Sequence, residues 1–231
     1  MATIASTESY NITLVNTSSS GVQGLGYTGS PHITSNGRYV VFWSFANNLV
    51  SNDTNGSDIF VKDLVTGITT RVTTNSSGVE HNGMVWNSWQ TPISDDGRFV
   101  VFASDASNLA PDDTNGVLDI YLKDLVTGLT TRLTNGFDGS QANGERADPS
   151  ITPDGRYVLF SSAASNLVPG DNNGAWDTFV KDLATGVTTR VSTPNGIAGD
   201  ITPDGRYVVF LSSSSDTKFV GQIFVRDLAG R

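Results

Sequence analysis

The stretch Ile151-Thr-Pro-Asp-Gly-Arg-Tyr-Val-Leu-Phe160 returns almost unchanged as Ile201-Thr-Pro-Asp-Gly-Arg-Tyr-Val-Val-Phe210. Two variants precede these copies, at residues 33–42 and 93–102, so the final phenylalanines are spaced 60, 58 and 50 residues apart. A repeat at this spacing is typical of propellers, solenoids and other arrays, in which one supersecondary unit is copied along the chain. The repeat therefore indicates the fold more strongly than any other feature of the sequence.

Each copy is followed by two shorter segments that also recur. The first is Asp-Ile-Phe-Val-Lys-Asp-Leu or a variant of it, at residues 58–64, 119–125, 177–183 and 222–228. The second is Thr-Thr-Arg-Val or Thr-Thr-Arg-Leu, at residues 69–72, 130–133 and 188–191. Because β-branched and aromatic residues favour strands, each repeat is predicted to be a four-stranded β-meander. Its strands are apolar on both faces, as in the blade of a β-propeller.

An Asn-Gly or Asp-Gly pair separates the first two strands of every repeat, as in Asn36-Gly37 and Asp154-Gly155. These residue types tolerate positive φ angles, so the sequence predicts a type I′ turn that joins the two strands into a hairpin. Thr-Gly pairs at residues 66–67, 127–128 and 185–186 mark a second turn, between the third and fourth strands.

The two ends of the chain predict how the ring closes. The fourth repeat stops after its third strand, whereas residues 12–15 and 20–23 align with the outer-strand segments 69–72 and 77–80. We therefore expect the N-terminal strand, residues 10–17, to complete the last blade and remove its open edge. The alternative is a dimer in which each N-terminal strand completes its partner's blade, which gives a ring of eight blades.

The predicted fold class is all-β, with one β-propeller over residues 1–231 and four blades of four antiparallel strands. The 24 glycines and 8 prolines suit such a protein, which has many short strands and tight turns. The blades are expected at about residues 30–74, 90–134, 148–193 and 199–231, and residues 10–17 complete the last one.

Composition limits the partners. The formal net charge is −9, and most of the 14 Lys and Arg residues recur at equivalent repeat positions. Basic residues spread evenly around a ring form no patch for a phosphate backbone, so nucleic acid is not expected as a partner. The chain has no cysteine for disulfides or thiolate metal sites. Its apolar runs are too short for a membrane span, and its N-terminus lacks the features of a signal peptide.

The motifs Ile-Thr-Pro-Asp-Gly-Arg-Tyr-Val-Val-Phe and Asp-Ile-Phe-Val-Lys-Asp-Leu make the chain resemble the TolB-like, WD40-like (PD40) β-propeller family over nearly its whole length. The resemblance implies a bacterial binding or scaffolding module that is periplasmic, secreted or at the cell surface. Some family members precede peptidase domains. Family rings usually have more than four blades, and a ring of four departs from that pattern.

The loops between the second and third strands of three blades share the pattern Asp-x-Asn-Gly. Carboxylate and amide oxygens around a glycine bend resemble the first half of an EF-hand, which favours structural calcium. No acidic residue closes the loop, so the alternative is an Asx-rich turn that bonds its own backbone. The fourth blade lacks the pattern. The predicted calcium ligands are Asp53, Asn55 and Asp58; Asp113, Asn115 and Asp119; and Asp171, Asn173 and Asp177.

The inner strands line the central channel, and the residue before their recurrent isoleucine varies. His32, Ser150 and Asp200 take this place in three blades. They suggest a catalytic triad, but a triad needs mutual hydrogen-bond reach and Ser150 lacks a nucleophile elbow. We therefore predict no catalytic residues and keep these three as candidates for ligand contact. His81 lies in a polar loop and is expected to be solvated.

Trp86 and Trp89 lie in the long connection between residues 74 and 90 and are further candidates for ligand contact. Exposed tryptophans stack on sugar rings or anchor protein partners, and the alternative is that both pack under their own loop. Trp43 follows a strand and is expected to pack between blades.

The sequence favours a non-enzymatic, monomeric binding or scaffold module with a protein, small-molecule or glycan ligand. One alternative is a carbohydrate-binding lectin, which is favoured only by a recurring aromatic pocket that the sequence does not show. A hydrolase or lyase at the channel mouth is the other alternative, and it needs singular acid and base groups.

Overall fold

The computed structural model describes residues 12–86, 92–192, 195–212 and 221–229, and every regular element in these ranges is a β-strand. The strands form four antiparallel sheets that follow one another along the chain. Blade 1 contains β1 (Thr28–Ile33), β2 (Tyr39–Ser44), β3 (Asp58–Asp63) and β4 (Thr69–Arg71). Blade 2 contains β5 (Val85–Trp86), β6 (Phe99–Ser104), β7 (Asp119–Asp124) and β8 (Thr130–Arg132). Blade 3 contains β9 (Arg146–Ile151), β10 (Tyr157–Ser162), β11 (Asp177–Asp182) and β12 (Thr188–Arg190). Blade 4 contains β13 (Gly196–Ile201), β14 (Tyr207–Ser212) and β15 (Gln222–Asp227).

The structure confirms the predicted propeller of four meander blades. Strand order within each sheet follows the sequence, and the fourth sheet has three strands among the described residues. The inner strands begin a few residues before the expected blade boundaries, at Thr28, Val85, Arg146 and Gly196.

The turn between the first two strands differs from the type I′ turn that the sequence predicts. In blade 1, the amide of Gly37 donates to the carbonyl oxygen of Thr34 at 2.8 Å. Gly37 has a φ of 70°, but Asn36 is not among the described residues with positive φ. A type I′ turn requires positive φ at both central residues, so the prediction is wrong. The loop is instead a longer hairpin connection that ends on a left-handed glycine.

The core lies between consecutive blades, and we call each interface between two blades a joint. At the first joint, Val41 and Val61 of blade 1 pack in one buried cluster with Val100 and Phe102 of blade 2. A second cluster joins blades 2 and 3, and a third joins blades 3 and 4. Close packing of this kind makes the joints resistant to deformation.

An aromatic ring locks each joint at its turn end. The first residue of the second strand lies over the turn glycine of the next blade, where a Cβ atom would overlap the ring. Because those glycines also have positive φ, both the turn and the close contact require glycine there. The three pairs are Tyr39–Gly97, Phe99–Gly155 and Tyr157–Gly205.

The predicted closure by residues 10–17 stays a prediction. Residues 10 and 11 lie outside the described ranges, and residues 12–15 form no strand. All six residues of β15 are exposed, and Ile12 is 90% exposed. Among the described residues, β15 of blade 4 and Ile33 of blade 1, which is 52% exposed, are therefore uncovered.

Candidate functional site

The first oxygen-rich loop folds its two aspartates into a buried acidic cluster. The side chains of Asp53 and Asp58 are 3% and 1% exposed. One carboxylate oxygen of each lies within 4.8 Å of the other and of a Glu80 oxygen. The structure thus brings together two of the predicted calcium ligands and adds a third carboxylate, from the connection between blades 1 and 2.

An arginine guanidinium lies inside this cluster. Arg71 of β4 places its Nη1 2.6 Å from Oε1 of Glu80, 3.8 Å from Oδ1 of Asp53 and 4.0 Å from Oδ2 of Asp58. The register of β3 with β4 fixes this position, because it sets Arg71 opposite Phe60, two residues beyond Asp58. The guanidinium provides the opposite charge that buried carboxylates require.

One arginine does not balance the charge of three carboxylates, and the pKa values of Asp53 and Glu80 are shifted. Burial, followed by the neighbouring Asp58 carboxylate, raises the pKa of Asp53 to about 7. Burial also acts against ionisation of Glu80. Hydrogen bonds from Thr54 and from the amide of Asn55 outweigh it and hold the pKa of Glu80 below its usual range.

An equivalent arginine contacts the oxygen-rich loop in blades 2 and 3. In blade 2, Nη1 of Arg132 lies 3.6 Å from Oδ1 of Asp113, and the other carboxylate oxygen, Oδ2, accepts a hydrogen bond from the Tyr121 hydroxyl. In blade 3, Nη1 of Arg190 lies 2.9 Å from Oδ1 of Asp171. The arginine of the Thr-Thr-Arg motif therefore pairs with the first aspartate of all three loops.

The loop asparagines of blades 2 and 3 act as turn residues. Nδ2 of Asn115 donates to Oδ2 of Asp119 at 3.1 Å, and Nδ2 of Asn173 donates to Oδ2 of Asp177 at 2.7 Å. Their Oδ1 atoms accept amides two residues ahead, at 3.2 and 2.9 Å, as in Asx turns. Asn55 in blade 1 differs. Its Nδ2 donates to the carbonyl oxygen of His81 at 2.9 Å, and its Oδ1 is buried without a hydrogen-bond partner among the described residues.

The prediction that His81 is solvated is wrong. The residue is 3% exposed, and its Nε2 lies 2.9 Å from the carbonyl oxygen of Ser57 and 3.5 Å from Oδ1 of Asp58. Burial opposes its protonation, but the adjacent Asp58 carboxylate outweighs burial and raises the pKa of His81. His81 thus belongs to the packed support of the first loop.

The three channel candidates occupy equivalent strand positions, and within the described part of the chain no hydrogen bond joins them. His32 pairs with Val41, and Ser150 and Asp200 pair at the matching positions of β9 and β13. Oγ of Ser150 is buried and has no hydrogen-bond partner within the described ranges. Oδ1 of Asp200 accepts the amide of Ile201 at 2.8 Å. Ser150 therefore has no base to activate it among the described residues.

Two tryptophans occupy the same place on neighbouring blades from different strands. In blade 1, Trp43 of β2 pairs with Gly29 of β1, and in blade 2, Trp86 of β5 pairs with Ala103 of β6. In blade 1 the tryptophan stands on the second strand and the small residue on the first, and in blade 2 this order is reversed. An alignment of the repeats therefore does not show that the two tryptophans are equivalent. Trp86 thus lies on an inner strand, 53% exposed, and Trp89 lies outside the described residues.

Trp43 is the centre of an exposed aromatic group. Its ring lies 4.6 Å from that of Phe45 and 5.9 Å from that of Tyr27, both edge-to-face. Trp43 also packs against the first joint, as expected, while Tyr27 and Phe45 are 71% and 50% exposed. Trp86 lies at the matching position of blade 2 rather than against these rings, and we call the set Tyr27, Trp43, Phe45 and Trp86 the aromatic surface.

Sequence reasoning missed two members of the first loop cluster, Arg71 and Glu80. The signal for Arg71 was present, because an arginine recurs 13 residues after the last aspartate of each oxygen-rich loop. Glu80 carried no comparable signal, since its equivalent after blade 2 is Gln141.

Comparison with known proteins supports the architecture. No family model matches the chain, and no curated protein matches it. Among solved structures, TolB from Acinetobacter baumannii is 22% identical with a TM-score of 0.53, over 88% of this chain and 41% of that one. A puromycin-hydrolyzing peptidase of Mycobacterium tuberculosis is 16% identical with a TM-score of 0.54, over 90% of this chain and 28% of that one.

These likenesses show the fold. The chain is a β-propeller similar to TolB, as the sequence motifs predicted. It spans less than half the length of the solved chains named above. In the described part of the chain, no helix is long and apolar enough to cross a membrane.

Proposed function

We propose that this chain is a non-enzymatic binding or scaffold module whose ligand contacts the aromatic surface. The proposal rests on one observation, that the aromatic side chains are singular within an otherwise repeated framework. The positions that match Trp43 hold Ala103, Ser161 and Leu211, each paired to the third strand in the same register. The blade architecture therefore does not require an aromatic group there.

The chemistry of this surface favours a protein partner. Tryptophan and tyrosine provide large contact areas with few rotatable bonds, and they dominate binding energy at protein interfaces. Trp43 and Trp86 stand on strands, so little conformational entropy is lost when a partner binds. A lectin needs the same aromatic pocket on several blades, and here the matching position of blade 3 pairs alanine with serine.

A peptide library displayed on phage and selected on the folded protein tests the proposal. Selected peptides should bind Trp86→Ala and Tyr27→Ala at least about tenfold more weakly than wild type, a loss of about 1.4 kcal/mol. Val126→Ala is the matched control, because Val126 is 75% exposed in a turn away from the aromatic surface. Peptides that bind all three variants equally would contradict the proposal. Soluble oligosaccharides that bind through Trp86 would favour the lectin instead.

The absence of catalysis is part of this proposal. Ser150 has no base among the described residues, and the first aspartate of each oxygen-rich loop is paired with an arginine. Hydrolysis of ester or peptide substrates that is lost in Ser150→Ala would contradict it.

Structural calcium in the oxygen-rich loops remains a second part of the proposal. The three carboxylates of blade 1 are close enough for one cation to contact all of them. Because Arg71 occupies the same cluster, a calcium ion has to compete with its guanidinium. We therefore expect weak binding, with a dissociation constant on the order of 10⁻⁴ M or weaker.

Melting curves in calcium and in EDTA test this part. If calcium binds, the difference between the two curves should shrink in Asp53→Ala and grow in Arg71→Ala, since the latter removes the competing charge. Asp138→Ala is the control, because Asp138 is an exposed aspartate outside these loops. If the calcium and EDTA curves coincide for wild type and also for Arg71→Ala, the loops are turns paired with arginine and do not bind calcium.

An envelope or extracellular location is proposed from the TolB-like resemblance alone.

A further inference from the structure

Each joint uses two complementary halves, one from each blade. The preceding blade contributes an aromatic ring at its turn end and the apolar residues of its third strand. The following blade contributes a turn glycine and the isoleucine that lies four residues before this glycine. This isoleucine is 4%, 8% and 7% exposed at the three joints, in Ile93, Ile151 and Ile201.

At its turn end, blade 1 carries the second half of a joint that the described residues leave uncovered, although Val40 and Phe42 further along the same face are buried. Ile33 is the equivalent of those three isoleucines, yet it is 52% exposed. A Cβ atom at Gly37 would find nothing within 4 Å, whereas one at Gly97 would overlap the ring of Tyr39. We call Ile33, Gly37 and residues 12–15 the head.

Blade 4 carries the first half of a joint, also uncovered. Tyr207 is the equivalent of Tyr157 and is 36% exposed. Ile223 and Val225 of β15 are 72% and 68% exposed, while Ile59 and Val61 of β3 are 1% and 4% exposed. We call Tyr207, Ile223 and Val225 the tail.

The head also brings a segment equivalent to the outer strand that β15 lacks among the described residues. Nζ of Lys62 donates to the carbonyl oxygens of Thr17 and Ser18 at 3.2 and 3.0 Å. In the same way, Nζ of Lys123 donates to those of Thr74 and Asn75 at 3.1 and 3.2 Å. Thr74 lies three residues after Arg71, where β4, the outer strand of blade 1, ends. Residues 12–15 therefore stand where the outer strand of a blade before blade 1 would stand.

Packing supports the same equivalence. Val15 packs against the buried cluster of blade 1 that contains Phe42 and Phe60. Val72, which ends the outer-strand segment of blade 1, packs in the cluster that contains Phe102 and Tyr121 of blade 2. The head is thus prepared for a third strand on its free edge, and β15 is a third strand with a free edge.

We propose that the tail of one copy joins the head of a second copy, and that two copies form a ring of eight blades. Among the described residues of one chain, Ile33 of the head and Ile223 of the tail are 52% and 72% exposed, so its own head does not cover its own tail. To bring them together, the three close-packed joints would all have to bend. A second copy fills both ends with the joints unchanged, and eight blades lie within the range that propellers adopt. This inference is independent of the proposed function, because it concerns different residues.

Molar mass is the first test. Light scattering at micromolar concentration should give twice the chain mass of 24.5 kDa. Gly37→Val blocks the head, and Val225→Asp blocks the tail, so each variant should weaken dimerisation at least about tenfold. Gly67→Val and Val126→Asp are matched controls. Gly67 has a φ of 73° with open space around it, and Val126 is 75% exposed.

Mixing the two blocked variants provides a test that a folding defect cannot imitate. The tail of Gly37→Val and the head of Val225→Asp are both intact, so the mixture should form one sound joint and recover a dimer. A single-chain mass for wild type at every concentration would overturn the proposal. A dimer that both blocked variants still form alone would overturn it as well.

Discussion

Strands β3 and β15 have nearly the same sequence and opposite environments. β3 reads Asp-Ile-Phe-Val-Lys-Asp and β15 reads Gln-Ile-Phe-Val-Arg-Asp. Phe60 at the centre of β3 is fully buried, whereas Phe224 at the centre of β15 is 38% exposed. β3 has an outer strand on one edge and the next blade on one face, and β15 has neither among the described residues. Burial of a propeller strand therefore depends on its neighbours. The same strand sequence forms part of the core in blade 1 and is exposed in blade 4.

The largest effect should come from a charge placed on each strand in turn. Val61→Asp buries an unpaired carboxylate at the first joint and should lower the free energy of unfolding by about 4 kcal/mol or more. Val225→Asp places the same group at a site that is 68% exposed, so a single chain should lose little stability. Urea unfolding at low protein concentration measures both. Equal losses would mean that β15 is covered within one chain.

Substitution of the turn glycine by alanine should destabilise the protein more at a closed joint than at the head. Gly97→Ala and Gly37→Ala share the strain of a left-handed residue, about 1–2 kcal/mol. Only Gly97 lies under a ring, that of Tyr39. Gly97→Ala should therefore cost about 3 kcal/mol in total, with overpacking added to strain. Thermal unfolding in dilute solution gives the comparison, and indistinguishable losses would argue against a ring contact at the joint.

Removal of the ring itself should give a smaller difference. The guanidinium of the preceding arginine lies 4.8 Å from the ring centre in both Tyr157 and Tyr207. The two tyrosines differ in that Tyr157 lies over Gly205 of the next blade. Tyr157→Ala should cost about 2 kcal/mol, because a half-buried ring is lost from a joint. Tyr207→Ala should cost under about 1 kcal/mol in dilute solution. Equal values from urea unfolding would refute the distinction.

Acid titration should give the smallest effect. Arg98, then the amides of Val126 and Thr127, lowers the pKa of Asp124 to about 2, whereas an unfolded aspartate titrates near about 3.9. The folded pKa is the lower one, so this pair stabilises the protein above about pH 4, and its contribution disappears as the pH falls towards about 2. Asp124 is 10% exposed, and its equivalent Asp227 in β15 is 43% exposed.

Substitution isolates these contributions. Asp124→Asn should flatten the decline of stability between about pH 4 and pH 2 more than Asp227→Asn does, because water screens the more exposed pair. Melting temperatures along an acid series measure the slopes. A steeper change in Asp227→Asn would contradict the account.

The fold was predictable because the repeat carries it redundantly. Four copies of one strand pair, spaced by Asn-Gly or Asp-Gly, set the blade count and the order of strands before any contact was known. The turn type was not predictable, because the residue pair is shared by several hairpin loops. Only the backbone shows that Gly37 alone adopts a positive φ.

The site was less legible for a related reason. The aspartates of the oxygen-rich loops stood out in the sequence, but their partner Arg71 reaches them through strand pairing. The aromatic surface depends on Trp43 and Trp86, which hold matching positions of neighbouring blades on different strands, and an alignment of repeats separates them. Contacts across strands are thus the information that the sequence alone did not reveal.

A designed disulfide tests the head-to-tail joint most directly, because the chain contains no native cysteine. At the third joint, Cγ of Tyr157 lies 3.0 Å from the Cβ position of Gly205. The two Cβ positions therefore fall within about 4.5 Å, the range of a disulfide. Tyr157→Cys with Gly205→Cys is thus the control, and it should link within one chain.

Tyr207→Cys with Gly37→Cys is the measurement, read by non-reducing electrophoresis and intact mass after mild oxidation. The account predicts a covalent species of two chains. A disulfide within a single chain, or no disulfide while the control forms one, would contradict it.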